Sequence, residues 1–256
     1  MKTLKKGDAV GLALGGGAVL GAAHVGVLKA IEELGLQIKW ISGTSIGAMV
    51  AALYAFDNNC EKVKDIALDI SWKDITSFSI SKFGLMSNNK IAHFMKQNIG
   101  NVNIEDAKIP LAIIATNIAT GEKVILRKGN VAQAVMASSC IPGIFNPVSI
   151  DDLMLVDGAI SENVPVSPLQ EMKAETIIAV DLNARHLYGK PKNIIEVLQN
   201  SFHFTLETAV RLQTQQADIL ITPDLGSFDR YHTSQTENLV LKGYQETFRY
   251  LTPLMM

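Results

Sequence analysis

Residues 38–53 read Ile38-Lys39-Trp40-Ile41-Ser42-Gly43-Thr44-Ser45-Ile46-Gly47-Ala48-Met49-Val50-Ala51-Ala52-Leu53. The short apolar run over 38–41 predicts a buried strand, and the apolar block 48–56 predicts a largely buried helix. Between them, Gly43-Thr44-Ser45-Ile46-Gly47 fits G-x-S-x-G. Glycines on both flanks permit the sharp strand-to-helix turn that lifts a serine hydroxyl out of a sheet. The new helix aims its first N–H groups and its positive end at the same point. Ser45 is therefore the candidate nucleophile, on a fold whose strands feed helices.

Upstream, residues 9–14 predict a buried strand that ends in Gly15-Gly16-Gly17, and residues 20–34 carry apolar groups at helical spacing before Gly35. Lys2, Lys5 and Lys6 ahead of the apolar stretch 9–28 also imitate a signal peptide or a membrane span. Gly11, Gly15, Gly16, Gly17, Gly21 and Gly26 within that stretch favour strand, loop and helix instead, since each glycine costs up to about 1 kcal/mol of helix propensity. A phosphate cradle does not fit the glycine loop. The dinucleotide fingerprint from Gly15 needs glycine where Leu20 stands, and Gly21-Ala22-Ala23 is not Gly-Lys-Ser/Thr. The loop does offer backbone N–H groups with no side chain in the way, and such donors stabilise an oxyanion in acyl transfer. Close packing of helix on sheet is the alternative use of these glycines.

Downstream, strands are predicted at 111–115, 123–126, 153–156, 177–180 and 219–221. Helices are predicted near 61–70, 89–98, 131–138, 166–172, 194–216 and 236–250. This alternation implies an α/β fold, a three-layer α/β/α sandwich with a central, mostly parallel sheet covered on both faces. No repeat or linker interrupts it, so residues 1–256 are expected to form one domain. The stretch 72–89, with Phe78, Ile80, Phe83, Leu85 and Met86 among Ser, Lys and Asn, reads as a surface loop or as a cover over an apolar pocket.

Composition narrows the function classes. With 48% hydrophobic and 19% charged residues the chain is not a disordered one, and a net charge of −2 offers no basic field to a nucleic acid. Cys60 and Cys140 make neither a disulfide framework nor a zinc site, which suits a reducing cytosol. Asp157, between the strand 153–156 and Gly158, is a candidate base; Asp181, Asp224 and Asp229 are its rivals, and a turn role suits all four. His186, His203 and His232 keep a histidine triad open, although too little chain precedes Ser45 for a standard α/β-hydrolase. His24 and His93 fall inside predicted helices.

Four ordered blocks resemble the patatin-like phospholipases. They are Gly15-Gly16-Gly17-Ala18 through Gly21-Ala22-Ala23-His24-Val25-Gly26-Val27-Leu28, then Ser42-Gly43-Thr44-Ser45-Ile46-Gly47-Ala48, then Ala137-Ser138-Ser139-Cys140-Ile141-Pro142-Gly143-Ile144-Phe145, and last Leu155-Val156-Asp157-Gly158-Ala159 with Asn163-Val164-Pro165-Val166. The resemblance implies a Ser45–Asp157 dyad, with the backbone amides of Gly15, Gly16, Gly17 and Ala18 as oxyanion hole and an acyl-Ser45 intermediate. It implies a lipid or other acyl-ester substrate, and neither cofactor nor metal. One position departs: Leu20 stands where the family usually has Arg or Lys. An acyltransferase using the same acyl-serine, and a non-catalytic lipid-binding or regulatory protein on the same fold, are the rival readings. Peripheral membrane contact would use Phe83, Met86 or the stripe Ile194, Ile195, Leu198, Phe202, Leu206 and Val210, whose spacing equally suits a core face. The sequence leaves head group, chain length and oligomeric state open.

Overall fold

The computed structural model describes residues 2–69, 77–78, 84–185, 189–230 and 232–256. Strand β1 (Ala9–Leu14) passes through the glycine loop and a 3₁₀ turn (Ala18–Gly21) into α1 (Ala22–Glu33). Next, β2 (Gln37–Thr44) turns directly into α2 (Ile46–Asp57), and α3 (Cys60–Asp69) follows. Then come β3 (Ser77–Phe78), β4 (Gly84–Ser87), α4 (Asn89–Ile99), β5 (Leu111–Asn117), β6 (Lys123–Leu126) and α5 (Val131–Ser138). The chain continues through β7 (Gly143–Phe145), β8 (Val148–Ile150), β9 (Leu153–Asp157) and two short helices, α6 (Ala159–Glu162) and α7 (Ser167–Glu171). It ends with β10 (Ile177–Val180), α8 (Ile194–Gln213), β11 (Ile219–Ile221) and α9 (Thr236–Leu251).

The main sheet has the order β11-β10-β1-β2-β5-β9-β8, with β6 also on β5. Strands β11, β10, β1, β2 and β5 pair in parallel, whereas β6, β9 and β8 join antiparallel. Alternating residues serve opposite faces, as strand geometry requires. Leu12, Leu14, Ile178 and Val180 pack on one side with Leu28, Ile31, Leu53 and Leu239 of the helices. Ala13, Ile177 and Ala179 face the other side, against Val164, Val166, Leu169 and Val210. The sheet is thus sandwiched by helices, as the sequence pattern predicts.

Two departures from the pattern matter for the site. Strand β2 runs on past Ile41 to Thr44, because its small polar residues find partners: Ser42 Oγ donates to Pro165 O at 2.6 Å and Thr44 Oγ1 to Glu162 O at 2.9 Å. Part of the stretch 72–89 is not loop. Strands β3 and β4 form a small sheet with β7, a pairing too short for periodicity to reveal; residues 79–83, Phe83 among them, lie outside the described residues.

Register on β5 brings the two halves of the site together. Strand β2 climbs in parallel and stops with Thr44 opposite Ile114. Strand β9 descends antiparallel and stops with Asp157 opposite Ala115. Because β6 covers Ile113 to Thr116 on one edge, β2 and β9 must share the other and meet end to end. Ser45, the residue after β2, therefore faces the last residue of β9.

The elbow needs its glycines for space. A Cβ on Gly47 would lie 2.1 Å from Leu14 O, and one on Gly43 would lie 2.4 Å from Gly47 O. Both obstacles are backbone and cannot step aside. Gly47→Ala is expected to cost about 3 kcal/mol or more, the top of the overpacking range, measured by urea unfolding. A variant as stable as the parent would contradict this packing.

Candidate active site

Ser45 caps the N-terminus of α2 with φ 55° and ψ −125°, a conformation costing about 1–3 kcal/mol in a residue with a side chain. Its backbone N–H donates to Ser138 Oγ at 2.8 Å, which holds the strained turn from the end of α5. The Ser45 side chain lies close enough to the Asp157 carboxyl to favour its charged form. Asp157 Oδ1 accepts from Ala159 N–H at 2.8 Å, and Thr116 Oγ1 donates to the Asp157 carbonyl at 3.0 Å.

Asp157 is buried, 4% exposed, and that burial pushes its pKa up to about 7 against the opposing pull of the Ala159 N–H and the nearby Ser45 side chain. Of the rival aspartates, Asp181 is buried too, but its Oδ1 accepts from Asn183 N–H at 2.9 Å; Asp224 and Asp229 are exposed. His24 is fully buried, and desolvation lowers its pKa to about 4. Its Nε2 donates to Gly15 O at 2.7 Å, so it braces the glycine loop. His203 lies in α8 with its side chain outside the described residues, His186 lies outside them altogether, and His232 is exposed.

The four loop amides divide. Gly15 N–H donates to Val180 O at 3.1 Å and Gly16 N–H to Asn163 O at 3.3 Å. Those two are spent on the scaffold, which corrects the expectation that all four face a substrate. The Gly17 and Ala18 amides have no such partner among the described residues. Gly16 itself lies against Ser45: a Cβ there would be 3.4 Å from Ser45 Cβ and 2.8 Å from Asn163 Oδ1. Leu20 is fully buried and packs in the main apolar core.

An apolar cavity opens at Ser45 beside Ala18 and Val19. It runs past Ile46, Met49, Val50 and Leu53 of α2 to Val63, Ile66 and Ala67 of α3 and Ile91 and Phe94 of α4. Its cavity volume is about 120 Å³. Ser139 lines it, with an Oγ that has no protein partner among the described residues. Among those residues, no three His, Cys, Asp or Glu side chains are grouped to hold a metal ion, and Cys60 and Cys140 are free and buried. Sequence reasoning quoted Ser138 and Asn163 within the resembling blocks without giving them a role, and it missed Asn183 and Arg230, which act from distant elements with no motif of their own.

A family model described as patatin-like phospholipase matches residues 12–169. The chain belongs to the patatin-like phospholipase family. An uncharacterized NTE family protein of Mycobacterium tuberculosis is 34% identical over 177 residues, covering 68% of this chain and 49% of that protein. The lysophospholipase NTE1 of Saccharomyces cerevisiae is 33% identical over 184 residues, which is 70% of this chain but 11% of its own length. The chain thus spans about half of the bacterial relative and about a tenth of the yeast one. VipD from Legionella pneumophila shares the fold, with a TM-score of 0.64 at 13% identity over 98% of this chain and 68% of that one.

The buried aspartate leads to a pH-dependent prediction. Its folded pKa lies above the unfolded value of about 3.9, so it favours the folded state at low pH, and that contribution is lost as pH rises from about 4 through 7. Asp157→Asn is then expected to be more stable than the parent at pH 8, by an amount on the order of 4 kcal/mol at most. The advantage shrinks toward pH 4. His24 tilts the other way, losing stability as pH falls from about 6.5 through 4, so acid sensitivity becomes steeper in the variant. Urea unfolding at pH 8, 6 and 4 measures this; a variant less stable than the parent at pH 8 would contradict it.

Proposed function

We propose that this chain is a serine acyl hydrolase that cleaves fatty-acyl esters of lipids, working as one domain. The reading is carried by one observation: Ser45 lies beside the buried Asp157 carboxyl and lines an apolar cavity. Membership of a phospholipase family and likeness to a lysophospholipase support it.

In the first half-reaction Ser45 Oγ attacks the ester carbonyl while its proton passes to Asp157. The carbonyl oxygen becomes an oxyanion that the Gly17 and Ala18 N–H groups receive. Collapse of the tetrahedral species expels the alcohol, which takes the proton from Asp157 and leaves acyl-Ser45. Water then attacks the acyl carbon, gives its proton to Asp157, and releases the fatty acid as Ser45 recovers its proton. A base with a pKa near 7 suits both directions of transfer at neutral pH.

The cavity is the acyl site in this reading. From Ile46 to Leu53 the helix rises about 10 Å, room for roughly eight carbons at about 1.25 Å each along a zigzag of C–C bonds. Membrane contact is peripheral and uses the start of α8, where Ile194, Val197 and Leu198 are 70%, 42% and 64% exposed and the exposed Lys190 lies just upstream. On the same helix Leu206 and Val210 are core, so the described part of the stripe divides between the two uses; the Ile195 and Phe202 side chains lie outside the described residues. The Met86 side chain lies outside the described residues. The described residues include no helix long and apolar enough to cross a membrane.

Hydrolysis of p-nitrophenyl esters from two to sixteen carbons tests the mechanism. Ser45→Ala and Asp157→Asn are each expected to lower kcat by about 10³-fold or more. Parent kcat/KM is expected to rise with pH through about 7 as Asp157 ionises, and to peak near eight carbons. Full activity in Asp157→Asn would point to a histidine base instead. Adding glycerol or a thiol separates hydrolysis from acyl transfer, since an acyltransferase would divert most of the acyl group to the added acceptor. Membrane contact is tested by cosedimentation with phosphatidylglycerol vesicles, where Ile194→Glu with Leu198→Glu is expected to lower the bound fraction; unaltered binding would discard that surface.

A further inference from the structure

The glycine loop is held by groups that the dyad mechanism does not mention. Gly16 O accepts from Asn183 Nδ2 at 2.9 Å. Asn183 Oδ1 in turn accepts from Arg230 Nη2 at 2.8 Å. Arg230 grips the loop a second time, its backbone carbonyl accepting from Val19 N–H at 3.2 Å. Asn183 is anchored at its own backbone by the Asp181 carboxylate, which also feels the charge of Arg230. Arg230 is 7% exposed, so its guanidinium is buried against this cluster.

Two elementary facts turn this cluster into a directional device. In a trans peptide the C=O and the following N–H point in opposite directions, and no cis peptide occurs among the described residues. Fixing Gly16 O on Asn183 therefore fixes the Gly17 N–H on the opposite side. An arginine donates and never accepts, so Asn183 must turn its oxygen to Arg230 and its NH₂ to Gly16. The flipped amide would set two oxygens against each other. The same chain of hydrogen bonds draws electron density from the Gly16–Gly17 peptide and makes its N–H a stronger donor.

We propose that Asn183 and Arg230 are positioning residues of the oxyanion hole: they set the Gly16–Gly17 peptide so that the Gly17 amide meets the oxyanion. The loop has no cation of its own, since Leu20 is buried in the core, and Arg230 brings one from the segment before α9. The proposal rests on Ser45 being the nucleophile.

The test compares the full chain with Asn183→Asp, Arg230→Met and Arg230→Lys. The measurements are kcat and KM on a p-nitrophenyl ester, and the Ki of a trifluoromethyl ketone, which forms an oxyanion on a serine. Asn183→Asp is close to isosteric and keeps an acceptor for Arg230 but sets an oxygen against Gly16 O. It is expected to lower kcat by about 10- to 100-fold, the scale of a misplaced catalytic group. KM should stay within about twofold, with Ki weakened in step with kcat. Arg230→Met is expected to lose about tenfold in kcat, and Arg230→Lys, which still donates, to recover most of it. If Asn183→Asp does not fold, the Met and Lys pair at 230 carries the test alone. Parent-like kcat and Ki in folded Asn183→Asp, or equal losses in Arg230→Met and Arg230→Lys, would overturn the positioning role and leave the dyad standing. A parent chain inert to both ester and ketone would overturn the dyad and this proposal together.

Discussion

The site depends on one edge of β5. Two strands of opposite direction end there against neighbouring residues, Thr44 against Ile114 and Asp157 against Ala115. Backbone pairing sets that meeting, so the Ser45 and Asp157 side chains come together although 112 positions separate them in the chain. A register slip of one residue in β9 would turn the Asp157 side chain to the opposite face of the sheet. The surrounding contacts defend the register: Thr116 holds the Asp157 carbonyl, and Ser42 and Thr44 hold the segment that follows it. Small hydroxyl residues suit this work, because they satisfy buried carbonyls without pushing strands apart.

Burial at this junction has a cost that the proposed chemistry would use. A carboxylate 4% exposed is disfavoured as an anion, and its pKa rises to about 7, where the base of the proposed mechanism would both take and give a proton. The strained φ of Ser45 is a second cost. The apolar core on both faces of the sheet, from Leu12 and Ile113 on one side to Ala179 and Val210 on the other, supplies the stability that tolerates both.

What could be read from the residues follows from which forces are local. The elbow was legible because its glycines are demanded by backbone atoms four or five residues away or on and just past the adjacent strand, and the parallel strands because they are short apolar runs between helices. Asp157 could be singled out as a strand-end aspartate but not chosen over Asp181 without the family resemblance. The choice depends on the antiparallel direction of β9, and Leu153-Met154-Leu155-Val156 carries no mark of direction. The division of the loop amides was equally hidden. Val180 O and Asn163 O claim Gly15 and Gly16 from far along the chain, leaving Gly17 and Ala18. Arg230 and Asn183 are 47 residues apart and reach the loop only through the fold. Likewise β3, β4 and β7 are too short for a pattern, and the apolar stripe of α8 does not reveal that its start is exposed while Leu206 and Val210 are core.

The central claim is that Ser45 becomes acylated with Asp157 as its base. Acid-quenching the parent chain during turnover of an eight-carbon p-nitrophenyl ester, then weighing the intact protein and mapping the adduct by peptide mass spectrometry, tests it most directly. One added octanoyl group is expected, on Ser45, forming more slowly as pH falls below about 7. Steady turnover with no adduct on Ser45, or with the acyl group on another residue, would contradict it.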